Sequence, residues 1–154
     1  MIDLIDCGLF ELFFRLELEV ITTSLVLNEI NETEQKRVCK AMIAQDALHV
    51  VEIGTLDYLR LQSLELPGLS VPDRSVLKLA EEREASLLTG DGKLRRTAES
   101  ASVEVCGILW VFDQLVSVAL LSHSDAHDKL SQLSEKNPRL PKREIERRLL
   151  NWAG

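Results

Sequence analysis

The feature that most constrains this chain is the run from Val71 to Arg96, VPDRSVLKLAEEREASLLTGDGKLRR. Pro72, Asp73 and Arg74 open a helix, and Asp73 sits in its first turn, where a carboxylate meets the positive helix end. Val76, Leu77, Leu79 and Ala80 recur at helical spacing, with Lys78, Glu81 and Glu82 between them. Ser86, Leu87 and Leu88 are short and apolar, which suits a buried strand of a parallel sheet. Thr89, Gly90, Asp91 and Gly92 break that strand, and Lys93, Leu94, Arg95 and Arg96 start another helix. A helix, a buried strand and a second helix in so few residues predict an α/β fold. Asp91 falls just past the carboxyl end of the strand, where open α/β sheets place their ligands. Taken alone, the same residues also read as ordinary turn and cap chemistry, since Asp and Gly are common in both.

The rest of the chain alternates in the same way. Ile2 to Ile5 reads as a short strand ending at Asp6, Cys7 and Gly8. Leu9 to Leu16 reads as a buried helix, and Glu17 to Ile21 leads into a second strand. Thr22, Thr23 or Ser24 caps a helix through Ile30 that carries Glu29. Asn31 or Thr33 caps a further helix, Glu34 to Asp46. Leu48 to Ile53 is a strand, Thr55 to Leu64 a helix, and Pro67-Gly68 a loop. Val103 to Cys106 is the last strand. Gly107 starts a long apolar helix to Leu121, followed by helices over Ser124 to Ser134 and Pro141 to Trp152. Strands alternating with helices predict a mostly parallel central sheet with helices on both faces, a three-layer sandwich. The 154 residues, 45% of them hydrophobic, suit a single domain, 1–154, with a C-terminal helical extension over about 124–152.

Charge and cysteine use narrow the function. A net charge of −7 argues against a nucleic-acid coat protein, whose affinity comes from excess Lys and Arg. It leaves room for a nuclease, because a carboxylate cluster is itself negative. Cys7, Cys39 and Cys106 are odd in number and form no C-x-x-C pair, so neither a zinc site nor a disulfide framework is expected. The chain starts without a signal-peptide pattern, and its most apolar segment carries Asp113 and Gln114. A cytoplasmic protein with no membrane partner is the expectation.

Asp6, Glu29, Asp73 and Asp91 are the candidate site. Asp6 and Asp91 each end a strand, and Glu29 can point back from the helix after the second strand. Asp3 is the rival for the first position, but Asp6 has the better context. Two carboxylates about 5 Å apart repel by roughly 3 kcal/mol at an effective dielectric near 20. A hard divalent cation such as Mg²⁺ or Mn²⁺ relieves this at neutral pH. Thr89 is a candidate to orient a water or a carboxylate. Lys93, Arg95 and Arg96, beside Asp91, are placed to meet phosphate. His123 and His127 share the i,i+4 spacing of a zinc pair, but read better as a solvated helix face.

Four stretches resemble the acidic motifs of PIN-domain nucleases, in order and over nearly the whole chain. They are Asp6-Cys7-Gly8-Leu9-Phe10, Thr23 to Ile30 with Glu29, Val71-Pro72-Asp73 to Ala80, and Leu87-Leu88-Thr89-Gly90-Asp91. Val105 to Leu109 resembles the family's last strand and helix start. Asn137 to Pro141 is similar to a prokaryotic PIN subgroup described mainly as predicted nucleic-acid-binding proteins. The resemblance implies a flavodoxin-like α/β/α sandwich and a Mg²⁺- or Mn²⁺-dependent endoribonuclease acting on RNA. Asp6, Glu29, Asp73 and Asp91 would then be both catalytic and metal-binding. Many relatives are VapC-type toxins paired with an antitoxin, and a homodimer is a further expected assembly. A hydroxyl residue usually follows the first aspartate, and here it is Cys7. The alternative is a PIN-fold regulatory domain that binds protein or nucleic acid with little or no turnover.

Overall fold

A computed structural model of the chain describes residues 1–153. Its backbone divides into two compact units, 1–18 with 108–153 and 19–107.

The unit spanning 19–107 holds all four strands found among the described residues. Strand β1 (Val20–Thr23) pairs in parallel with β2 (Leu48–Val51), with Val20 opposite Leu48 and Thr23 opposite Val51. The helices α3 (Ser24–Asn28) and α4 (Thr33–Ala44) connect them. After α5 (Thr55–Ser63) come α6 (Val71–Arg83), β3 (Leu87–Leu88), α7 (Gly92–Ser100) and β4 (Val105–Cys106). β3 and β4 are also parallel. The α/β class and the parallel pairing agree with the sequence reading. The strands form two short pairs, β1–β2 and β3–β4. Leu69, Leu77, Ala80, Leu87, Leu94, Ala98 and Val103 make one buried cluster from α6, β3, α7 and their flanks. Each is apolar and at most 8% exposed, so the helix–strand–helix run closes its own core.

The other unit is helical: α1 (Ile2–Asp6), α2 (Phe10–Phe14), α8 (Ile108–Ser117), α9 (His123–Lys136) and α10 (Lys142–Trp152). α8 buries Ile108, Val111, Phe112 and Leu115. Trp152 of α10 lies against Phe112, ring centroids 6.1 Å apart. Arg148 of α10 clasps both carboxylate oxygens of Asp113 at 2.8 and 2.5 Å and that of Glu144 at 3.0 Å. Arg147 also pairs with Glu144, at 2.7 Å, so these two arginines of the basic C-terminal region are tied into intramolecular pairs.

Several boundaries differ from the sequence expectation. Ile2 to Ile5, expected as a strand ending at Asp6, is helix α1, and Asp6 is its last residue. A short apolar run carries no period to separate the two states. Here the backbone satisfies itself locally, Leu4 and Ile5 donating to Met1 O and Cys7 to Asp3 O. Gly8, at φ +67, then ends the turn, its N–H on Ile5 O and that of Leu9 on Leu4 O. That pattern needs a left-handed residue, which glycine supplies.

Glu29, expected within a helix, is the C-cap of α3. The cap of α4 is Glu32, not Asn31 or Thr33. The apolar helix starting near Gly107 stops at Ser117, short of Leu121. Ala119 is left-handed at φ +57, and Leu120 and Leu121 both donate to Leu115 O, at 2.9 and 3.1 Å. The turn buries Leu121, which a continued helix would carry elsewhere.

Candidate functional site

In the 19–107 unit the site is built from three turns. The first follows β1. Thr23 ends the strand and caps α3, its hydroxyl accepting from Val26 N at 3.4 Å. Ser24 accepts from Ile53 N at 3.0 Å, which ties the same turn to the segment after β2. Glu29 follows the last turn of α3 with its side chain largely, but not wholly, exposed.

The second turn starts α6. Ser70 and Asp73 form a reciprocal capping box: Ser70 Oγ accepts from Asp73 N at 3.2 Å, and Asp73 Oδ2 from Ser70 N at 3.1 Å. The box fixes the Asp73 carboxylate and engages one of its oxygens. Ser70 was legible as a capping residue three positions before an acid, yet the sequence reading began the helix at Pro72. The Glu29 carboxyl is raised above its ordinary 4.5, first by partial burial and then by the Asp73 charge.

The third turn follows β3. Asp91 caps α7, its Oδ1 accepting from Lys93 N at 2.9 Å and Leu94 N at 2.7 Å. Thr89 accepts from Asp91 N at 3.1 Å, and its own N–H donates to Cys106 O. Thr89 thus braces the backbone that presents Asp91. Of the three cations on α7, Arg95 makes a 3.7 Å pair with Glu99. Gly107 leaves room for Arg95: a Cβ there would lie 3.0 Å from its Nη2. Lys93 folds over Gly68, where a Cβ would lie 3.2 Å from the ammonium.

Asp6 belongs to the other unit and is exposed at the end of α1. It lines an open cleft of about 410 Å³ with Asp3, Cys7, Lys129, Lys136 and Asn137, among others. Asp3 accepts from Asn137 Nδ2 at 3.3 Å, and Lys129 donates to Cys7 O at 3.1 Å. Burial pushes the Cys7 thiol up to about 11, so at neutral pH it is a neutral, weakly donating group on Leu4 O.

A family model described as a PIN domain matches residues 1–153. The chain belongs to the PIN-domain family. PIN domains have a flavodoxin-like α/β fold, are generally nucleases that bind nucleic acid, and generally use divalent metals. No curated protein and no solved structure shows significant similarity to the chain. Among the described residues no helix is long and apolar enough to cross a membrane.

Among the described residues of this PIN domain, no three His, Cys, Asp or Glu side chains stand together as a ready metal cage. Mg²⁺ does not ordinarily need one. It is held by one or two carboxylates and completes its shell with water and substrate phosphate. Carboxylates such as Glu29 and Asp73 are the donor type such a cation takes, and Asp73 keeps one oxygen outside its capping box. His127 meets Asp128 at 3.4 Å on α9, and it too belongs to no such group.

Proposed function

We propose that this PIN domain is a Mg²⁺- or Mn²⁺-dependent endoribonuclease whose acidic residues are Asp6, Glu29, Asp73 and Asp91. The observation that carries the reading is membership of a family of nucleases; in support, the Thr23–Ser75 contact joins the turns next to Glu29 and Asp73, and the Asp73 charge adds to burial in raising the Glu29 carboxyl. Like charges so placed destabilise each other unless a cation or a proton intervenes. A divalent cation, when bound, supplies charge neutralisation and Lewis acidity at a phosphodiester. The chain's part is to hold its donors. Asp73 is oriented by Ser70, and Asp91 by the first turn of α7 and by Thr89. Lys93, Arg95 and Arg96 lie within two turns of Asp91 and would meet the RNA backbone. A toxin role with an antitoxin partner, and a homodimer, belong to the same reading.

A regulatory PIN domain without turnover is the second reading. It is favoured by the use of Asp73 and Asp91 oxygens as helix caps. One experiment separates the two: incubation of a mixed RNA pool with the protein and Mn²⁺, beside Asp73→Asn and a chelator control. Cleavage lost in both controls supports the nuclease. No cleavage by the wild-type protein in Mg²⁺ or Mn²⁺ leaves the regulatory reading.

A further inference from the structure

Between the end of β1 and the start of α6 is a pair of hydroxyls whose burial needs a reason. Thr23 is fully buried and Ser75 is 2% exposed. Their oxygens are 2.7 Å apart although the residues are 52 positions apart in sequence. Thr23 closes β1 and caps α3, and Ser75 lies in the first turns of α6. Two apolar side chains of similar size would fill the space without the cost of burying a polar group.

The neighbours of the pair settle which hydroxyl donates. The Val26 N–H can only donate, and it meets Thr23 Oγ1 at 3.4 Å. The Pro72 carbonyl can only accept, and Ser75 Oγ donates to it at 2.7 Å. Each hydroxyl has a single proton. Ser75 has spent its own on Pro72, so Thr23 donates to Ser75. The result is one directed chain: Val26 N–H to Thr23, Thr23 to Ser75, Ser75 to Pro72 C=O. Both hydroxyls are satisfied, and among the described residues no buried side-chain nitrogen or oxygen lacks a partner.

The two ends of this chain fall at the acids. The Val26 carbonyl accepts the N–H of Glu29 at 3.2 Å, and Pro72 directly precedes Asp73. A directed hydrogen-bond chain sets the distance and angle between two elements more narrowly than apolar contact does.

We infer that Thr23 and Ser75 are positioning residues for Glu29 and Asp73, fixing the turns that carry the two carboxylates relative to each other for a divalent cation. The inference rests on the metal-dependent reading above. Neither hydroxyl is a ligand, and both act through the backbone of the turns they join.

A hydroxyl pair that served stability alone would lower the melting temperature and leave cation affinity intact in the folded protein. The test is therefore Mn²⁺ binding by titration calorimetry, well below the melting temperature, on the full chain. Wild type is compared with Ser75→Ala, Thr23→Val and Thr23→Ser, with circular dichroism confirming the fold. Ser75→Ala and Thr23→Val are expected to bind Mn²⁺ about 10-fold more weakly or worse, the scale for losing a group that orients a metal ligand. Thr23→Ser keeps the hydrogen-bond chain and should bind close to wild type. If Thr23→Val does not fold, Ser75→Ala, which deletes one oxygen, carries the comparison. Folded variants that bind Mn²⁺ as tightly as wild type overturn the positioning role and leave the nuclease reading standing. A wild-type protein that does not bind Mn²⁺ overturns both.

Discussion

Glu29 connects the chemistry of the site to the stability of the fold. Its folded carboxyl is raised above the ordinary 4.5. The folded state therefore keeps a proton that the unfolded state releases. The stability this provides is fully present below the ordinary value and is lost as pH rises through the raised one. Without divalent cations, urea midpoints should fall over that window, and Glu29→Gln should flatten the fall. Asp73→Asn should reduce it less, because burial is the larger cause and Asp73 the smaller. Identical profiles for wild type and Glu29→Gln would refute the coupling.

Asp91 separates a structural duty from a chemical one. As the cap of α7 it needs only an acceptor oxygen, and Asn is as good a cap as Asp. Asp91→Asn should keep the melting temperature while abolishing RNA cleavage. Asp91→Ala should lose cleavage and also about 1 kcal/mol of stability. An active Asp91→Asn protein would remove Asp91 from the site.

At the scale of elements, the end of α8 makes the clearest prediction. Ala119 holds a left-handed conformation that costs an L residue roughly 1–2 kcal/mol. Ala119→Gly removes that strain, offset in part by the greater unfolded-state entropy of glycine. A gain of up to about 1 kcal/mol is expected, read as a higher urea midpoint. A loss would mean the turn is held differently in solution.

Helix α7 carries the second. Lys93, Arg95 and Arg96 lie on the helix that Asp91 opens. If they meet RNA phosphates, replacing all three by Gln should weaken binding and shallow its salt dependence, since each phosphate contact releases counterions. Equal slopes of affinity against salt for the two proteins would take α7 out of the substrate path.

For the molecule as a whole, cation binding to the folded chain must raise its melting temperature. At about 100 times the dissociation constant, one Mn²⁺ adds roughly 2.7 kcal/mol. In a domain of this size that is several degrees. The melt is run with Asp73→Asn beside wild type. A wild-type melt unmoved by millimolar Mn²⁺ would mean that the carboxylates do not share a cation.

The sequence by itself determined the α/β class, the family and the order of most elements. The run from Val71 to Arg96 was readable because its signals are local: helical period, a short apolar strand, an Asp-Gly break. Its core closes among its own residues. The four acids were proposed from the same kind of local signal, their positions in short motifs. What only the tertiary structure decided depended on partners far away in the chain or on competition between local states. Ile2 to Ile5 is apolar in any conformation, and the hydrogen bonds it makes decided for helix α1 over a strand. The apolar run after Gly107 reads as helix throughout, yet the burial of Leu121 ends α8 early. Thr23 and Ser75 carry no mark of each other, because a hydrogen bond across 52 residues leaves no period or spacing in the sequence. That contact exists only once β1 and α6 have packed.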